Sequence, residues 1–141
     1  MRKVIAAKAV IWNGGKVLLV HRVGDNLYSN WEVPGGRIEA DELLADGLRR
    51  EVREEIGPVD FEIGTSVGAD EWTPTKDGEK LHIVGVFISC TVSSAEAEKL
   101  QLSDEHDDLA WILPEELANY DIAPGMRTMI ENSARLRSIH V

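Results

Sequence analysis

Between Gly36 and Gly57 the chain reads GRIEADELLADGLRREVREEIG, where seven acidic residues (Glu39, Asp41, Glu42, Asp46, Glu51, Glu54, Glu55) meet four arginines (Arg37, Arg49, Arg50, Arg53). Leu44, Leu48, Val52 and Ile56 recur at i, i+4 spacing and make one apolar stripe on a helix. Asp41 is the expected N-cap of a helix from about Glu42 to Ile56, and Gly57-Pro58 is its stop signal. Such a helix is stable only if the remaining chain supplies an apolar surface for the stripe. Glu51, Glu54 and Glu55 stand at i, i+3 and i+4, so their carboxylates gather and repel. Arg50 and Arg53 relieve only part of that repulsion. A solvated acidic face laced with Glu–Arg pairs is the ordinary result of such a composition. Here, however, the carboxylates flank the stripe instead of opposing it. They also follow Val33-Pro34-Gly35-Gly36, a loop able to bring backbone close to a ligand. Hard oxygen donors at this density suit Mg2+, with Mn2+ as a substitute.

Gly36, five residues, Glu42, seven residues, then Arg50-Glu51-Val52-Arg53-Glu54-Glu55-Ile56-Gly57 resembles the signature of the Nudix hydrolases, G-x5-E-x7-R-E-U-x-E-E-x-G-U, U being bulky and aliphatic. Every fixed position is filled across a 23-residue window, and only the last U departs, as Pro58. That position is a helix exit and carries no chemistry. Trp31-Glu32-Val33-Pro34-Gly35-Gly36 and Glu39 also resemble the family's approach to this box.

At 141 residues the chain is long enough for one domain with a core of its own, and a single domain over 1–141 is expected. No apolar run approaches the ~20 residues of a membrane span, and the N-terminus lacks the apolar stretch of a signal peptide. One cysteine, Cys90, leaves no internal disulfide and fits a reducing cytoplasm, which is the expected location. Its strand-like setting favours a small buried hydrophobe over a catalytic thiol. The net charge of −10 disfavours nucleic acid as a partner, since polyanions bind basic surfaces. A small phosphorylated substrate remains compatible where divalent cations and a few arginines offset that charge. A monomer or a homodimer is expected.

Strands are expected over Val4–Trp12 and Lys16–Arg22, joined by the turn Asn13-Gly14-Gly15. Val23 to Asn30 reads as an exposed loop and Trp31–Val33 as a short strand. After the box come a strand over Val59–Val67, a loop or hairpin tip over Ala69–Lys80, and the clearest strand, Leu81–Val92. A short helix is expected around Ala95–Leu100, a strand over Leu109–Leu113 and a short helix over Pro114–Ala118. The last helix runs from Pro124 or Gly125 to about Arg137. This pattern predicts an α/β (α+β) fold with a mixed sheet packed between helices, and the resemblance implies an α/β/α sandwich.

The resemblance further implies Mg2+-dependent hydrolysis of a pyrophosphate linkage in a nucleoside diphosphate derivative, with two or more ions. Carried over position by position, Glu51, Glu54 and Glu55 become metal ligands and Arg50 orients Glu51. The carbonyl of Gly36, or of its neighbour Gly35, completes the inner shell. Glu42 takes a supporting role near the helix start. A further carboxylate from outside the box, ligand or general base, is assigned to Glu105, six residues before Trp111, with Asp104 and Asp107 as alternatives. His106 alone in a polar loop is read as doing nothing special. Arg22, ending the second strand, is the expected phosphate grip. Arg37 is a second candidate and Lys16 a fallback. Trp72, in a polar loop, is the expected base-stacking residue and Trp31 an alternative; Trp111 is read as core and Trp12 as structural. The favoured substrate is a nucleoside triphosphate, oxidised or not, cleaved to monophosphate and pyrophosphate. An ADP-ribose or nucleotide-sugar pyrophosphatase is the alternative, on the strength of Pro74 sixteen residues beyond Pro58. A nucleotide-binding sensor without catalysis is a third reading. It conflicts with an intact set of glutamates. A decapping role conflicts with the acid excess.

Overall fold

The computed structural model describes residues 1–23 and 31–139, so the loop expected over 23–30 lies outside the described residues except for exposed Val23. The strands are β1 (Arg2–Asn13), β2 (Lys16–Arg22), β3 (Trp31–Glu32), β4 (Gly35–Arg37), β5 (Glu62–Trp72), β6 (Thr75–Lys76), β7 (Glu79–Thr91) and β8 (His106–Ile112). The helices are α1 (Leu44–Ile56), α2 (Ser94–Ala97), a 3-10 helix (Pro114–Asn119) and α3 (Pro124–Ile139).

β1 is the hub of the sheet because its Ala-, Val- and Ile-rich run is buried on both faces. Along one edge it pairs with β7 in parallel, from Arg2↔Leu81 to Trp12↔Thr91. Its other edge is divided. Trp12 and Asn13 pair antiparallel with Val17 and Lys16, closing the hairpin at Gly14 (φ +60°), whereas Ala6, Ala7 and Lys8 pair with Arg37, Gly36 and Gly35 of β4. β1 and β2 therefore fork apart, and β3 and β4 fill the gap, β3 against β2 and β4 against β1. β8 pairs with the far edge of β2 and β5 with the far edge of β7.

The two faces of this mixed sheet carry separate cores. Leu48, Val52 and Ile56 of α1 pack with Ala7, Ala9, Ile11, Leu18 and Val20 on one face, joined by Ala97 and Leu100 from the α2 region. Each such buried aliphatic side chain stabilises the fold by about 1.5–3 kcal/mol. On the opposite face, Met129 and Ile130 of α3 pack with Val10, Trp12, Phe87 and Leu117. Trp12 is fixed there by a 2.8 Å bond from its indole N–H to buried Ser133. The result is the expected layered α/β arrangement with helices on both sides.

Several sequence expectations are corrected. α1 begins at Leu44, and its N-cap is Leu43 without a side-chain bond, so Asp41 is not the cap. Leu44, at the end of the expected stripe, is an exposed hydrophobic residue. Val59 and Phe61 are buried without belonging to a strand, and β5 runs on to Trp72 through the segment expected to be a loop. β7 supplies a partner for that polar stretch, with Asp70↔Gly85 and Trp72↔Ile83, so pairing overrides weak local propensity. The Gly35-Gly36 loop is itself a short strand, and β8 starts at His106 instead of Leu109. No helix among the described residues is long and apolar enough to cross a membrane.

Gly35 has φ +145°, and a side chain there would collide with the backbone of Ala7 and Lys8. Gly35→Ala should cost about 2–4 kcal/mol in urea unfolding, from strain plus displacement of β4. A loss below about 0.5 kcal/mol would show that the fork does not depend on this close approach.

Candidate active site

The fork between β1 and β2 collects the chain's polar residues at one place. α1 meets it through Glu55, which is only 4% exposed and accepts from the Gly35 N–H at 2.7 Å. Burial raises the Glu55 carboxyl above the usual carboxylate range, and the charge of Lys8 with the Gly35 bond offsets this only partly. Glu51 lies one turn earlier, packed so closely against Gly36 that any side chain at 36 would strike its carboxylate. Burial raises Glu51 as well, and the charges of Glu54 and Glu105 add to that, whereas Arg50 opposes it. Glu54 is exposed on the outer side of the same helix. The carboxylates of Glu51 and Glu55 thus line one side of the Gly35-Gly36 strand.

Arg50 stands at the centre of the outer carboxylates. Its guanidinium donates to Glu42 at 2.7 and 3.1 Å, to Glu51 at 3.0 Å, to Glu54 at 3.2 Å and to the Arg37 carbonyl at 3.1 Å. These bonds, led by the one to Glu42, raise its pKa further. Glu42 also accepts from the Glu39 amide at 2.8 Å, so it braces both Arg50 and the turn ahead of α1.

The C-terminal carbonyls of α1 place the next piece. Four carbonyls at a helix end lack intrahelical donors, and here Ile56 O accepts from Gln101 N and Glu55 O from Ser103 N, each at 2.9 Å. The segment leading into β8 is thereby clamped to α1. Glu105 follows on an exposed turn, close enough to bear on Glu51, while its carbonyl accepts from Val23 N at 2.9 Å. Asp104 is exposed, and Asp107 is engaged with His21 Nδ1 at 2.6 Å. Of the three acids considered in this loop, Glu105 is the one whose charge acts on Glu51.

His106 is buried, 4% exposed, contrary to its reading as an idle loop residue. A register shift pairs Arg22 with His106 although His21 pairs with Asp108, so Asp107 is an extra residue in β8. Such a bulge reverses the alternation of side chains beyond it, and it turns His106 toward α1. Its Nε2 donates to Glu32 at 2.9 Å and lies 3.7 Å from Glu55. Glu32, named in the sequence only as part of the approach to the box, is an ionic centre. It accepts from Arg22 at 2.8 Å and lies 3.8 Å from the ammonium of Lys8, itself 5% exposed. Burial pushes Glu32 upward, but Lys8, the His106 bond and Arg22 more than offset this and hold it at about 2.

Arg22 is 41% exposed at the end of β2, and Glu32 holds one of its terminal nitrogens. Arg37 is half-buried on β4. Trp72 is not in a polar loop; it is half-buried on β5 with its ring over Gly85, where a side chain would not fit. Trp31 packs edge-on to His21 and Tyr120 at 5.0 and 5.1 Å. Trp111 packs against the α1-side core. Cys90 is buried and its thiol is pushed up to about 12 by desolvation, which excludes it as a nucleophile. Sequence reasoning missed Lys8, Glu32 and His106. The available signals were a lysine inside the apolar run of β1 and a glutamate between Trp31 and Val33.

The donor set fits a hard dication. Glu55 is buried with its charge only partly matched, and Glu51 is raised by burial and by like charge. A divalent cation among oxygen ligands removes both costs.

The depressed Glu32 stabilises the fold fully above its ordinary value of 4.5, and that contribution is lost as pH falls through about 2. The difference corresponds to about 3 kcal/mol. Glu32→Gln should therefore be less stable than the parent by about that amount at pH 7, with the gap closing between pH 4.5 and pH 2. Urea unfolding across that range checks it; a gap unchanged at pH 3 would assign the loss to packing.

The NUDIX domain model matches residues 2–133. The nucleoside triphosphatase NudI of Escherichia coli O17:K52:H18 (strain UMN026 / ExPEC) is 33% identical over 129 residues, spanning 86% of this chain and 90% of that protein. Among solved structures, the E. coli ORF135 protein is 29% identical with a TM-score of 0.70, covering 99% of this chain and 94% of its own. The MutT protein from Methanosarcina mazei Go1 is 26% identical with a TM-score of 0.76, covering 96% of each chain. With a family model spanning nearly the whole length and a curated relative of comparable size, this chain belongs to the Nudix hydrolase family.

Proposed function

We propose that this enzyme hydrolyses a nucleoside triphosphate to the monophosphate and pyrophosphate, using Mg2+, with Mn2+ as substitute. The observation that carries this reading is that Glu51 and Glu55 stand against the Gly35-Gly36 strand short of counter-charge, with the charges of Glu54 and Glu105 bearing on Glu51. The name of the NudI relative, a nucleoside triphosphatase, points to the same substrate class.

In this reading Glu51, Glu54, Glu55 and Glu105, with the carbonyl of Gly36, hold the metal. Mg2+ bound there supplies charge neutralisation at the phosphates and activation of water. Arg50, fixed by Glu42, keeps Glu51 and Glu54 turned toward the site. Glu105 is the outlying carboxylate, serving as ligand or as the base that takes the proton of the attacking water. Arg22 grips a phosphate with the nitrogens that Glu32 leaves free, and Arg37 is the second cation on the open side. Trp72 offers a stacking surface for the base, with Trp31 as the alternative. The site belongs to a small-molecule enzyme acting as a monomer or homodimer.

The alternative ADP-ribose or nucleotide-sugar reading rested on Pro74. In the structure Pro74 follows β5 and its carbonyl accepts from Leu81 N at 2.9 Å, an ordinary structural task that gives no preference to that substrate. A hydrolysis screen with Mg2+ over nucleoside triphosphates, oxidised purine nucleotides, ADP-ribose and dinucleoside polyphosphates tests the proposal. Preference for ADP-ribose would overturn it.

Glu54→Gln or Glu55→Gln should lower kcat at least roughly a hundredfold with the fold retained, since Glu54 is exposed and Gln at 55 keeps an acceptor for Gly35 N–H without a buried charge. An active Gln variant, or one that fails to fold, would remove these residues from the metal site. Arg22→Ala should lower kcat/KM roughly ten- to a hundredfold, the value of one charged contact to phosphate. Lysine should recover part of the loss, because it replaces a planar fork with a point charge. Steady-state kinetics within about twofold of the parent would shift the phosphate grip to Arg37 or Lys16.

A further inference from the structure

Three side chains beneath the carboxylate cluster have no part in the proposed reaction: Lys8, Glu32 and His106. They come from β1, β3 and β8, and all reach the gap where β1 and β2 part. His106 Nε2 stands between two carboxylates, 2.9 Å from Glu32 and 3.7 Å from Glu55. Glu32 in turn holds Arg22 at 2.8 Å. A continuous path of polar contacts therefore runs from Arg22 through Glu32 and His106 to Glu55.

The ligand atoms of Glu32, Glu55 and His106 lie within 4.8 Å of one another, a spacing that would admit a metal ion. The surroundings argue against that use. Lys8 and Arg22 already place two cations on Glu32, and a dication would have to enter against both. The imidazole N–H bonded to Glu32 would also have to be lost. These atoms are therefore better read as bonded to one another.

The His106 ring carries a further mark. Its Nδ1 is buried without a hydrogen-bond partner among the described residues. Burying a polar nitrogen unpaired costs stability, and leucine of similar volume at that place would avoid the cost. The other nitrogen, Nε2, is the one that lies between Glu32 and Glu55, so the imidazole stands at 106 as a link between two carboxylates.

We propose that Glu32 and His106 form a positioning bridge that fixes Arg22 relative to Glu55, so that the phosphate grip and the metal carboxylate move as one frame. The inference rests on the roles assigned above to Arg22 and Glu55. Neither Glu32 nor His106 touches the reacting atoms; each acts through the residue it holds. Lys8 completes the bridge by keeping Glu32 ionised beside Glu55. A bond from Arg22 to an anchored carboxylate leaves its remaining nitrogens aimed at the open side of the fork, which is what a planar guanidinium needs for two-point phosphate binding.

The test compares His106→Leu with His106→Gln, and each with the same change in an Arg22→Ala background. Three quantities are read: Mn2+ affinity from the paramagnetic resonance of the free ion without nucleotide, KM and kcat on the best triphosphate, and melting temperature. The bridge predicts that His106→Leu weakens Mn2+ binding and raises KM, each roughly tenfold or more, at temperatures where its melting curve shows the variant fully folded. His106→Gln keeps an N–H donor and should restore both to within about threefold. In the Arg22→Ala background, His106→Leu should still weaken Mn2+ binding but add little to KM, because the grip it positions is gone. Parent-like Mn2+ affinity and KM in His106→Leu, equal damage in both variants, or independent multiplication of the two KM effects would each overturn the bridge. If the leucine variant does not fold, Glu32→Gln, read below its own lower melting temperature, takes its place under the same expectations for Mn2+ affinity and KM. A parent that binds Mn2+ but cleaves no nucleotide refutes the proposed function, and the Mn2+ comparison then decides the bridge alone. A parent that binds no Mn2+ overturns both.

Discussion

Glu55 lies where α1 meets the fork in the sheet, and the Gly35 amide donates to it across 2.7 Å. A carboxylate so far from water is tolerated only with hydrogen bonds and nearby positive charge. The backbone N–H supplies the first; Lys8 and His106 supply the second in part. That bond needs Gly35, since the strand approaches β1 too closely there for any side chain. It also needs α1 to present position 55 inward, which the Leu48, Val52 and Ile56 contacts ensure. One polar contact thus depends on the apolar stripe, the glycine strand and the fork together. Displacing any of them displaces the carboxylates as a group.

Two ionic centres of opposite sign face each other across this contact. On the outside, Arg50 is a cation shared by Glu42, Glu51 and Glu54. On the inside, Glu32 is an anion shared by Lys8, Arg22 and His106. The outer centre is open to water on its Glu54 side, so its pairings are weakened there and its value lies mainly in orientation. The inner one is buried, so its pairings are strong and losing a partner is expensive. Between them, Glu51 and Glu55 are left with less positive charge than their burial requires. This imbalance is local and does not follow from the net charge of −10.

What the sequence made legible was whatever depends on residues close together along the chain. The i, i+3, i+4 grouping of Glu51, Glu54 and Glu55 is fixed by helix geometry, and runs of apolar, often β-branched residues mark β1, β2 and β7. The start of α1 was misjudged because Glu42, the side chain that braces the turn, does so by reaching Arg50 eight residues away instead of capping its own helix. β5 was cut short because its second half is polar and becomes a strand only against β7. His106 was passed over for a similar reason. A histidine among acids looks solvated until a one-residue bulge in β8 turns it inward, and that bulge appears only in the pairing with β2. Lys8 and Glu32 were visible as residues but not as partners, since they stand 24 positions apart and meet only because β3 and β4 fill the gap between β1 and β2.

The end of α1 shows how a local rule extends into tertiary structure. A helix exposes unpaired carbonyls at its C-terminus, and they must find donors wherever the chain goes next. Here Ile56 and Glu55 take them from Gln101 and Ser103, 45 and 48 residues further along the chain. The same residue, Glu55, therefore offers its side chain to the Gly35 strand and its backbone to the segment that carries Glu105 and His106. Because that segment is anchored by backbone, its placement does not depend on the flexible side chains it carries. A carboxylate on a loop would ordinarily be too loosely held to serve a metal. Glu105 sits two residues beyond a fixed point of α1 and immediately before a strand paired to β2, so the loop it occupies has little freedom. Acids distant in sequence are held together here because one helix end needed hydrogen-bond donors and a turn of chain near the site supplied them.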